Sequence, residues 1–193
     1  MRPVGYNAKI IPERPDWLPE AGVDRILSVS ECIATSPIDH FDLWLFNEWG
    51  FYDTPEILRC ALARTPAGSE PIRRFYYEAH PEERDAEGWR PIATPNGAAA
   101  PWDASESTPY VLRGFDIVCF SQGNVAECSP LTCNSGAKHF PVNRDGLIES
   151  LSAALAAAEA MAVDGGYEPG PYRVMSVWEE SGSLGGATSA TNP

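Results

Sequence analysis

The most constraining feature of the sequence is an apolar stripe near its C-terminal end that has the period of an α-helix. Counted from Leu147 to Ala162, apolar residues recur at positions i, i+1, i+4, i+7, i+8, i+11, i+14 and i+15. This spacing places their side chains on one face of a helix. Asn143 is a suitable N-cap, and the glycine pair at 165–166 is a suitable end. The spacing therefore predicts an amphipathic helix over residues 143–163 with one buried face.

A second helix is predicted by the capping signals that follow residue 52. Asp53 and Thr54 are preferred N-cap types, and Pro55 suits the first helical position. Apolar residues between Ile57 and Leu62 then form a stripe. Elsewhere the chain holds segments rich in β-branched and aromatic residues, which are typical of strands. These segments are residues 24–34, 73–80, 110–121 and 171–180.

The order of these elements, β-α-β-β-α-β, predicts an α+β fold of the ferredoxin-like type. Such a fold is an antiparallel sheet with two helices on one face. The aromatic stretch 39–52 is predicted to be an insertion after the first strand. The remaining predictions are an extended proline-rich arm over 1–22, a single domain over 23–180, a loop or hairpin over 81–109 and a disordered tail over 181–193.

The balance of charge limits the classes of partner. The formal net charge is −13, whereas binding to nucleic acid or to an anionic membrane surface needs a basic face. We therefore expect neither nucleic acid nor a membrane as a partner. The N-terminus lacks the apolar core of a secretory signal, and this predicts a cytoplasmic protein with reduced thiols.

The same charge favours a basic protein partner, because unlike charges steer association. The predicted function is therefore an immunity or inhibitor protein. The alternatives are that the charge serves only solubility and that the aromatic residues serve only the core. The residues predicted to contact a partner are Glu78, Glu82, Glu83, Asp85, Glu87, Trp44 and Trp49.

A cluster of potential metal ligands lies in the segment that follows the third predicted strand. Cys119, Cys128, Cys133 and His139 are separated by eight, four and five residues. Three cysteines and one histidine are an accepted ligand set for Zn²⁺, so a structural zinc module is one prediction, and no other cofactor is expected. Two alternatives stay open, namely a disulfide or redox pair of Cys128 with Cys133, and buried structural cysteines.

The same segment predicts a hydrolytic or thiol-dependent enzyme centred on residues 116–139. Ser121 follows a strand as a nucleophilic serine does, with His139 as a candidate base. Cys128 or Cys133 is a second candidate nucleophile, because a thiolate is intrinsically reactive.

The motifs GFDIVCFS, ECSPLTCN and EPGPYRV together resemble a bacterial protein family of uncharacterised function. The resemblance implies a bacterial or phage setting and a structural role for the CSPLTCN turn. It implies no activity, cofactor or functional residue.

Overall fold

The computed structural model describes residues 1–16, 18, 22–38, 46–66, 68, 70–93, 110–121 and 123–181. The described strands and helices are β1 (Arg2–Ile10), α1 (Pro55–Arg64), β2 (Ile72–Arg84), β3 (Trp89–Pro91), β4 (Tyr110–Cys119), α2 (Leu151–Asp164) and β5 (Tyr172–Glu180).

The strands form one five-stranded sheet, which confirms the predicted α+β class. The four longer strands lie in the order β1-β2-β5-β4, every pairing is antiparallel, and β3 pairs with the far end of β2. The ferredoxin-like strand order is not confirmed. In the split β-α-β arrangement another strand separates the two that flank a helix, whereas β1 and β2, which flank α1, are direct neighbours here.

Both helices pack against the same face of the sheet. Successive side chains of a strand alternate between faces, so residues an even number apart share a face. In β5, Tyr172 and Val174 belong to the cluster that includes α2, while Trp178 packs on the cluster that includes Leu58 of α1. The helices therefore lie side by side on one face, over different ends of the strands.

The opposite face of the sheet is covered by chain without regular secondary structure. Its core contains Tyr77 and Val177 from the sheet, packed with Val29, Phe51 and Leu147 from the connecting segments. We call residues 22–38 the covering segment. It is this layer, rather than the helical one, that positions the candidate site.

The first strand differs from the prediction. Residues 24–34 form turns and bends, and the strand lies instead at Arg2–Ile10, inside the predicted arm. Asn7 and Lys9 interrupt the apolar pattern expected of a buried strand, although both side chains are buried. Lys9 donates hydrogen bonds to two backbone carbonyls of the covering segment, which satisfies its buried ammonium group.

The start of the second helix also differs. α2 begins at Leu151, and Ser150 is its N-cap, with its hydroxyl accepting from the Ala153 N–H. Asn143 instead closes a turn, because its side chain donates to the Arg113 carbonyl at 2.7 Å and accepts from the Leu147 N–H at 3.2 Å. The remaining strand and helix predictions agree with β2, β4, β5 and α1 to within a few residues, and Thr54 caps α1 as predicted.

The predicted loop or hairpin contains the β2–β3 hairpin, and 94–109 within it lie outside the described residues. The first part of the aromatic stretch, 39–45, and the tail beyond 181 are outside them too. The described part of that stretch, 46–52, lies between β1 and α1.

Candidate metal centre

Three cysteine side chains lie close together, one from the covering segment and two from the turn that follows β4. The Sγ atoms of Cys32, Cys128 and Cys133 all lie within 4.8 Å of one another. All three thiols are free. Cys128 is buried, Cys133 is half-buried and Cys32 is exposed, so the cluster extends from the interior to the surface.

A tight turn positions Cys128 and Cys133. The Cys119 N–H of β4 donates to the Cys128 carbonyl at 2.8 Å, which anchors the start of the turn to the sheet. The Ser129 carbonyl then accepts from the Cys133 N–H at 2.8 Å. Gly136 packs closely against this turn, since a Cβ there would lie 2.7 Å from the Pro130 carbonyl oxygen. The two thiols are thus fixed by backbone contacts rather than by side-chain packing alone.

The covering segment brings Cys32 to the cluster. The segment is attached to the sheet by the Val29 N–H, which donates to Asp116 Oδ2 at 2.8 Å. The Lys9 ammonium group donates to the Val29 carbonyl at 2.8 Å and to the Ser30 carbonyl at 3.1 Å. At the segment's next turn, the Cys32 thiol donates to the Glu127 carbonyl at 3.0 Å.

Asp116 is the buried centre of these attachments. Its carboxyl group accepts hydrogen bonds from Val29, the Ile117 N–H, and the hydroxyls of Ser28 and Ser129. Burial raises its pKa to about 6, although these hydrogen bonds act in the opposite direction. The carboxyl group therefore joins the covering segment, β4 and the cysteine turn.

A chain of hydroxyl groups runs from this carboxyl group toward the thiols. Ser28 Oγ lies 3.3 Å from Asp116 Oδ2 and 3.0 Å from Ser30 Oγ, which lies 3.9 Å from Cys133 Sγ. The polar groups beneath the cluster are therefore mutually hydrogen-bonded, as buried polar groups usually are.

The three thiols differ in the direction in which their pKa values are shifted. Hydrogen bonding from the Cys128 thiol, with smaller contributions from Ser129, Cys32 and Ser30, lowers the pKa of Cys133 to about 6. The pKa of Cys128 is raised, mainly by its hydrogen bond to Cys133 and then by burial. Burial is also the main cause of the raised pKa of Cys32. The directions of these shifts favour Cys133 as the first of the three thiols to lose its proton.

Two oxygen-bearing side chains lie close to the buried side of the cluster. Asn134 Oδ1 accepts from the Cys128 thiol at 3.6 Å. Glu168 Oε2 is buried and accepts no hydrogen bond from the described residues. The charge of Glu168 contributes to the raised pKa of both Cys128 and Cys119. A buried carboxylate oxygen without a donor is unusual and indicates room for a cationic or hydrogen-bonding group.

A cavity of about 190 Å³ lies next to the cluster. Glu31 and Ala126 line it, and these are the chain neighbours of Cys32 and of Glu127, whose carbonyl accepts from the Cys32 thiol. Most of the remaining lining is apolar and includes Trp49. The cavity can receive the apolar part of a small molecule, and its connection to the cluster is through Glu31, the chain neighbour of Cys32.

Two of the four predicted zinc ligands lie outside the cluster. Among the residues that the structure describes, the group of close ligand atoms contains Cys128 and Cys133 but neither Cys119 nor His139. Cys119 is buried in β4 and its thiol points to the Glu168 carbonyl at 3.9 Å. His139 is exposed at the end of a short 3-10 turn.

Ser121, the predicted serine nucleophile, forms hydrogen bonds with the Glu127 carboxylate. Its hydroxyl donates to Glu127 Oε2 at 2.5 Å, and its N–H donates to the same oxygen at 3.2 Å. The strand ends two residues earlier, and the segment after Ser121 contains bends rather than the helix that a nucleophile elbow requires.

The acidic residues predicted to bind a partner have different surroundings. Glu83 is buried and pairs with Arg173 at 2.8 Å and with Arg90 at 2.8 Å. Glu78 accepts from the Tyr76 hydroxyl at 3.2 Å, and the Asp85 carboxylate accepts from the backbone of its own turn. The exposed member is Glu87, and Glu82 is half-buried.

The two predicted tryptophans lie in different parts of the chain. Trp49 is buried, and the Arg173 guanidinium carbon lies 4.2 Å from its ring centre. Trp44 lies outside the described residues. The described tryptophan therefore belongs to the core of the covered face.

Cys32 is the member of the cluster that the sequence did not reveal. It precedes Cys128 by 96 residues and follows the polar pair Ser30-Glu31, so no short spacing connects it with the other thiols. Its position depends on the docking of the covering segment, and the one available signal was a cysteine without an assigned role within residues 24–34, which were wrongly predicted to be a strand.

Comparison with known proteins adds no further information: no family model, curated protein or solved structure matches this chain. Within the described residues, the helices are too short or too polar to cross a membrane.

Proposed function

We propose that the protein binds a thiophilic divalent metal ion, with Zn²⁺ as the first candidate, through Cys32, Cys128 and Cys133. The observation that supports this most directly is the convergence of three free thiols within 4.8 Å. Thiolates select zinc and other soft ions over magnesium or calcium, which prefer oxygen ligands.

The separation of the sulfur atoms suits a tetrahedral ion. With zinc–sulfur bonds of 2.3 Å, two thiolates of a tetrahedral site lie about 3.8 Å apart. The three Sγ atoms, all within 4.8 Å of one another, therefore need to move by about 1 Å or less. Rotations about the cysteine side chains are sufficient, and the backbone of the turn can stay in place.

The electrostatic surroundings also support metal binding. A zinc ligand must be a thiolate, and Cys133 has a lowered pKa because the Cys128 thiol donates to it. The buried Lys9 ammonium group lies 4.0 Å from the Glu31 carboxylate, beside Cys32. This ammonium group also interacts electrostatically with Cys32, although the Glu31 carboxylate balances part of its charge.

Three protein ligands leave a fourth position open, which is typical of catalytic rather than structural zinc sites. We therefore propose that a water molecule occupies that position and that the site performs hydrolysis. Zinc lowers the pKa of a bound water to about 7. The buried Glu168 Oε2, which has no donor among the described residues, is a candidate acceptor for a hydrogen bond from that water, and the largely apolar cavity that Glu31 lines is a candidate for a substrate group.

The test is metal binding by the reduced protein. We expect one zinc or cobalt ion per chain, and with Co²⁺ the absorption bands of cobalt–thiolate bonds. Each single substitution Cys32→Ser, Cys128→Ser or Cys133→Ser should weaken the metal affinity at least tenfold. Cys60→Ser is the matched control, since Cys60 is an exposed free cysteine on α1 outside the cluster.

Circular dichroism of each variant separates loss of a ligand from loss of the fold. Retention of a full equivalent of metal by all three variants, or absence of binding by the folded wild-type protein, would show that the cluster is not a metal centre.

The net charge supports a second proposal, which is that a cytoplasmic immunity or inhibitor protein binds a basic protein partner rather than nucleic acid or a membrane. The exposed side chain of Glu87 and the half-buried one of Glu82 are available for such contacts. Replacing both with glutamine should slow association with a cationic ribonuclease severalfold at low salt. An unchanged association rate would contradict this proposal.

A further inference from the structure

The thiol cluster has the features of a reactive redox site as well as those of a metal centre. Cys133 is half-buried, and the exposed Cys32 lies beside it, so a small solute can reach the cluster from solvent. The Cys133 sulfur has the Ser30 hydroxyl at 3.9 Å and the Cys128 and Cys32 thiols within 4.8 Å. Three free thiols this close to one another place an attacking and a resolving sulfur within reach of each other.

Of the two neighbouring thiols, Cys128 is the better placed partner for a disulfide with Cys133. Both belong to one turn, whose ends are tied by hydrogen bonds from the Cys119 N–H to the Cys128 carbonyl and from the Cys133 N–H to the Ser129 carbonyl. The Cys128 thiol points to Asn134, which follows Cys133 directly. Formation of an S–S bond of about 2.05 Å therefore needs side-chain rotation within one anchored turn.

Cys32 is held differently. It belongs to the covering segment, and its thiol donates to the Glu127 carbonyl at 3.0 Å. A disulfide from Cys32 would have to break this contact. It would also cross-link two parts of the chain that hydrogen bonds already join.

We propose that Cys133 reduces a hydroperoxide and that Cys128 resolves the product as a Cys128–Cys133 disulfide. The Cys133 thiolate attacks one peroxide oxygen, an S–O bond forms, and the O–O bond breaks. The leaving oxygen takes a proton and departs as water or an alcohol. The product is a sulfenic acid, in which the sulfur is oxidised by two electrons and the peroxide is reduced by two.

The second step closes the disulfide. Cys128 sulfur attacks the sulfenic sulfur of Cys133, the S–S bond forms and the S–O bond breaks. The departing hydroxide combines with the proton of the Cys128 thiol as a second water. The sum is two thiols and one hydroperoxide converted to one disulfide, one water and one further water or alcohol.

This inference goes beyond the proposed metal site and does not depend on it, because both steps use only the free thiols and the peroxide. Disulfide formation and metal binding should compete, because a Cys128–Cys133 disulfide removes two of the three proposed metal ligands. A zinc-loaded protein should therefore release its metal when the disulfide forms.

The experiment uses the full, reduced chain freed of metal with a chelator and exposed to one equivalent of hydrogen peroxide. The five free thiols per chain should fall to three, and the mass of the chain should fall by the two hydrogens that one disulfide removes. Peptide mapping should place the disulfide between Cys128 and Cys133. Cys60 in the same chain is the internal control, and Cys133 should be oxidised at least tenfold faster.

Two variants test the order of the steps. Cys128→Ser should let a sulfenic acid accumulate at Cys133, where a dimedone probe traps it, while Cys133→Ser should leave the other thiols reduced. Mapping within the wild-type protein decides the question even where a variant does not fold.

Equal oxidation of Cys133 and Cys60, a disulfide that maps to Cys32, or five surviving thiols would each overturn the proposal. Failure of the metal site has a different signature. In that case no metal binds to the reduced chain, whatever the peroxide does.

Discussion

The buried carboxyl group of Asp116 predicts a specific dependence of stability on pH. Its pKa is raised from 3.8 to about 6, chiefly because burial disfavours the charged form. A raised pKa means that the folded protein holds the proton more tightly than the unfolded chain does. The contribution of Asp116 to stability is therefore fully present below pH 3.8 and is lost as the pH rises through about 6.

The size of the effect follows from the shift. Each pKa unit corresponds to about 1.4 kcal/mol, so a shift of about two units makes the free energy of unfolding about 3 kcal/mol lower at pH 7 than at low pH. About 2 kcal/mol of this change falls between pH 4 and pH 6. Asp116→Asn has no charge to titrate, and the variant should lack the dependence.

The amide of Asp116→Asn has its own cost, and that cost does not vary with pH. Both carboxyl oxygens accept a backbone N–H, from Val29 and from Ile117. An asparagine must therefore direct its NH₂ group at one of these donors, which costs about 1–3 kcal/mol. The stability of the variant relative to wild type should thus start negative at pH 4 and rise by about 2 kcal/mol by pH 6.

Urea denaturation, followed by circular dichroism from pH 4 to pH 7, measures this difference. Neighbouring groups that also titrate, Lys9 and Cys133 among them, are present in both proteins and largely cancel. Asp164→Asn, on an exposed residue at the end of α2, is the matched control and should not reproduce the rise. A constant difference between Asp116→Asn and wild type across the range would refute the reasoning, because it would mean that Asp116 titrates alike in both states.

Three further changes test the packing of the sheet by the same denaturation assay. Glu179 is buried and pairs with Arg25, Arg73 and Arg113, so Glu179→Ala should cost about 2–4 kcal/mol, reduced from the fully buried case because the arginines are partly exposed. Gly114 has a φ of +145°, and a Cβ there would lie 2.8 Å from the Ile148 carbonyl oxygen. Gly114→Ala should therefore cost more than about 2 kcal/mol, and a neutral result would contradict the positive φ and close approach at this residue. Thr54→Ala removes the N-cap of α1 and should cost about 1 kcal/mol.

The elements that could be predicted from the sequence are those specified by neighbouring residues. The start of α1 follows from Thr54 and Pro55, and β4 follows from the apolar run before Cys119. The start of α2 could not be predicted from periodicity, since Leu147 and Ile148 continue the helical stripe but are buried outside the helix. The Asn143 side chain donates to the Arg113 carbonyl, and Ile148 exchanges backbone hydrogen bonds with Phe115, so tertiary contacts with β4 decide that boundary.

The candidate site was half predictable for a similar reason. Cys128 and Cys133 lie five residues apart in a turn, and that spacing indicates proximity. Cys32 replaces the predicted Cys119 and His139 because tertiary docking places its covering segment on the sheet. The buried Lys9 and Asp116, which anchor that segment, look like surface residues in a sequence, and only their hydrogen bonds show otherwise.

One face of the sheet is covered by helices and the other by chain without regular secondary structure, and this difference affects which part of the protein can open locally. The covering segment is held by individual contacts rather than by a strand ladder, among them those of Val29 and Ser30 with Asp116 and Lys9, so it can open by breaking these contacts while the strands and helices stay intact. Opening of residues 22–38 would carry Cys32 away and leave a pair of sulfurs where three had been. Amide hydrogen exchange in this stretch should then report how often the segment opens, and with it how often the three sulfur atoms separate.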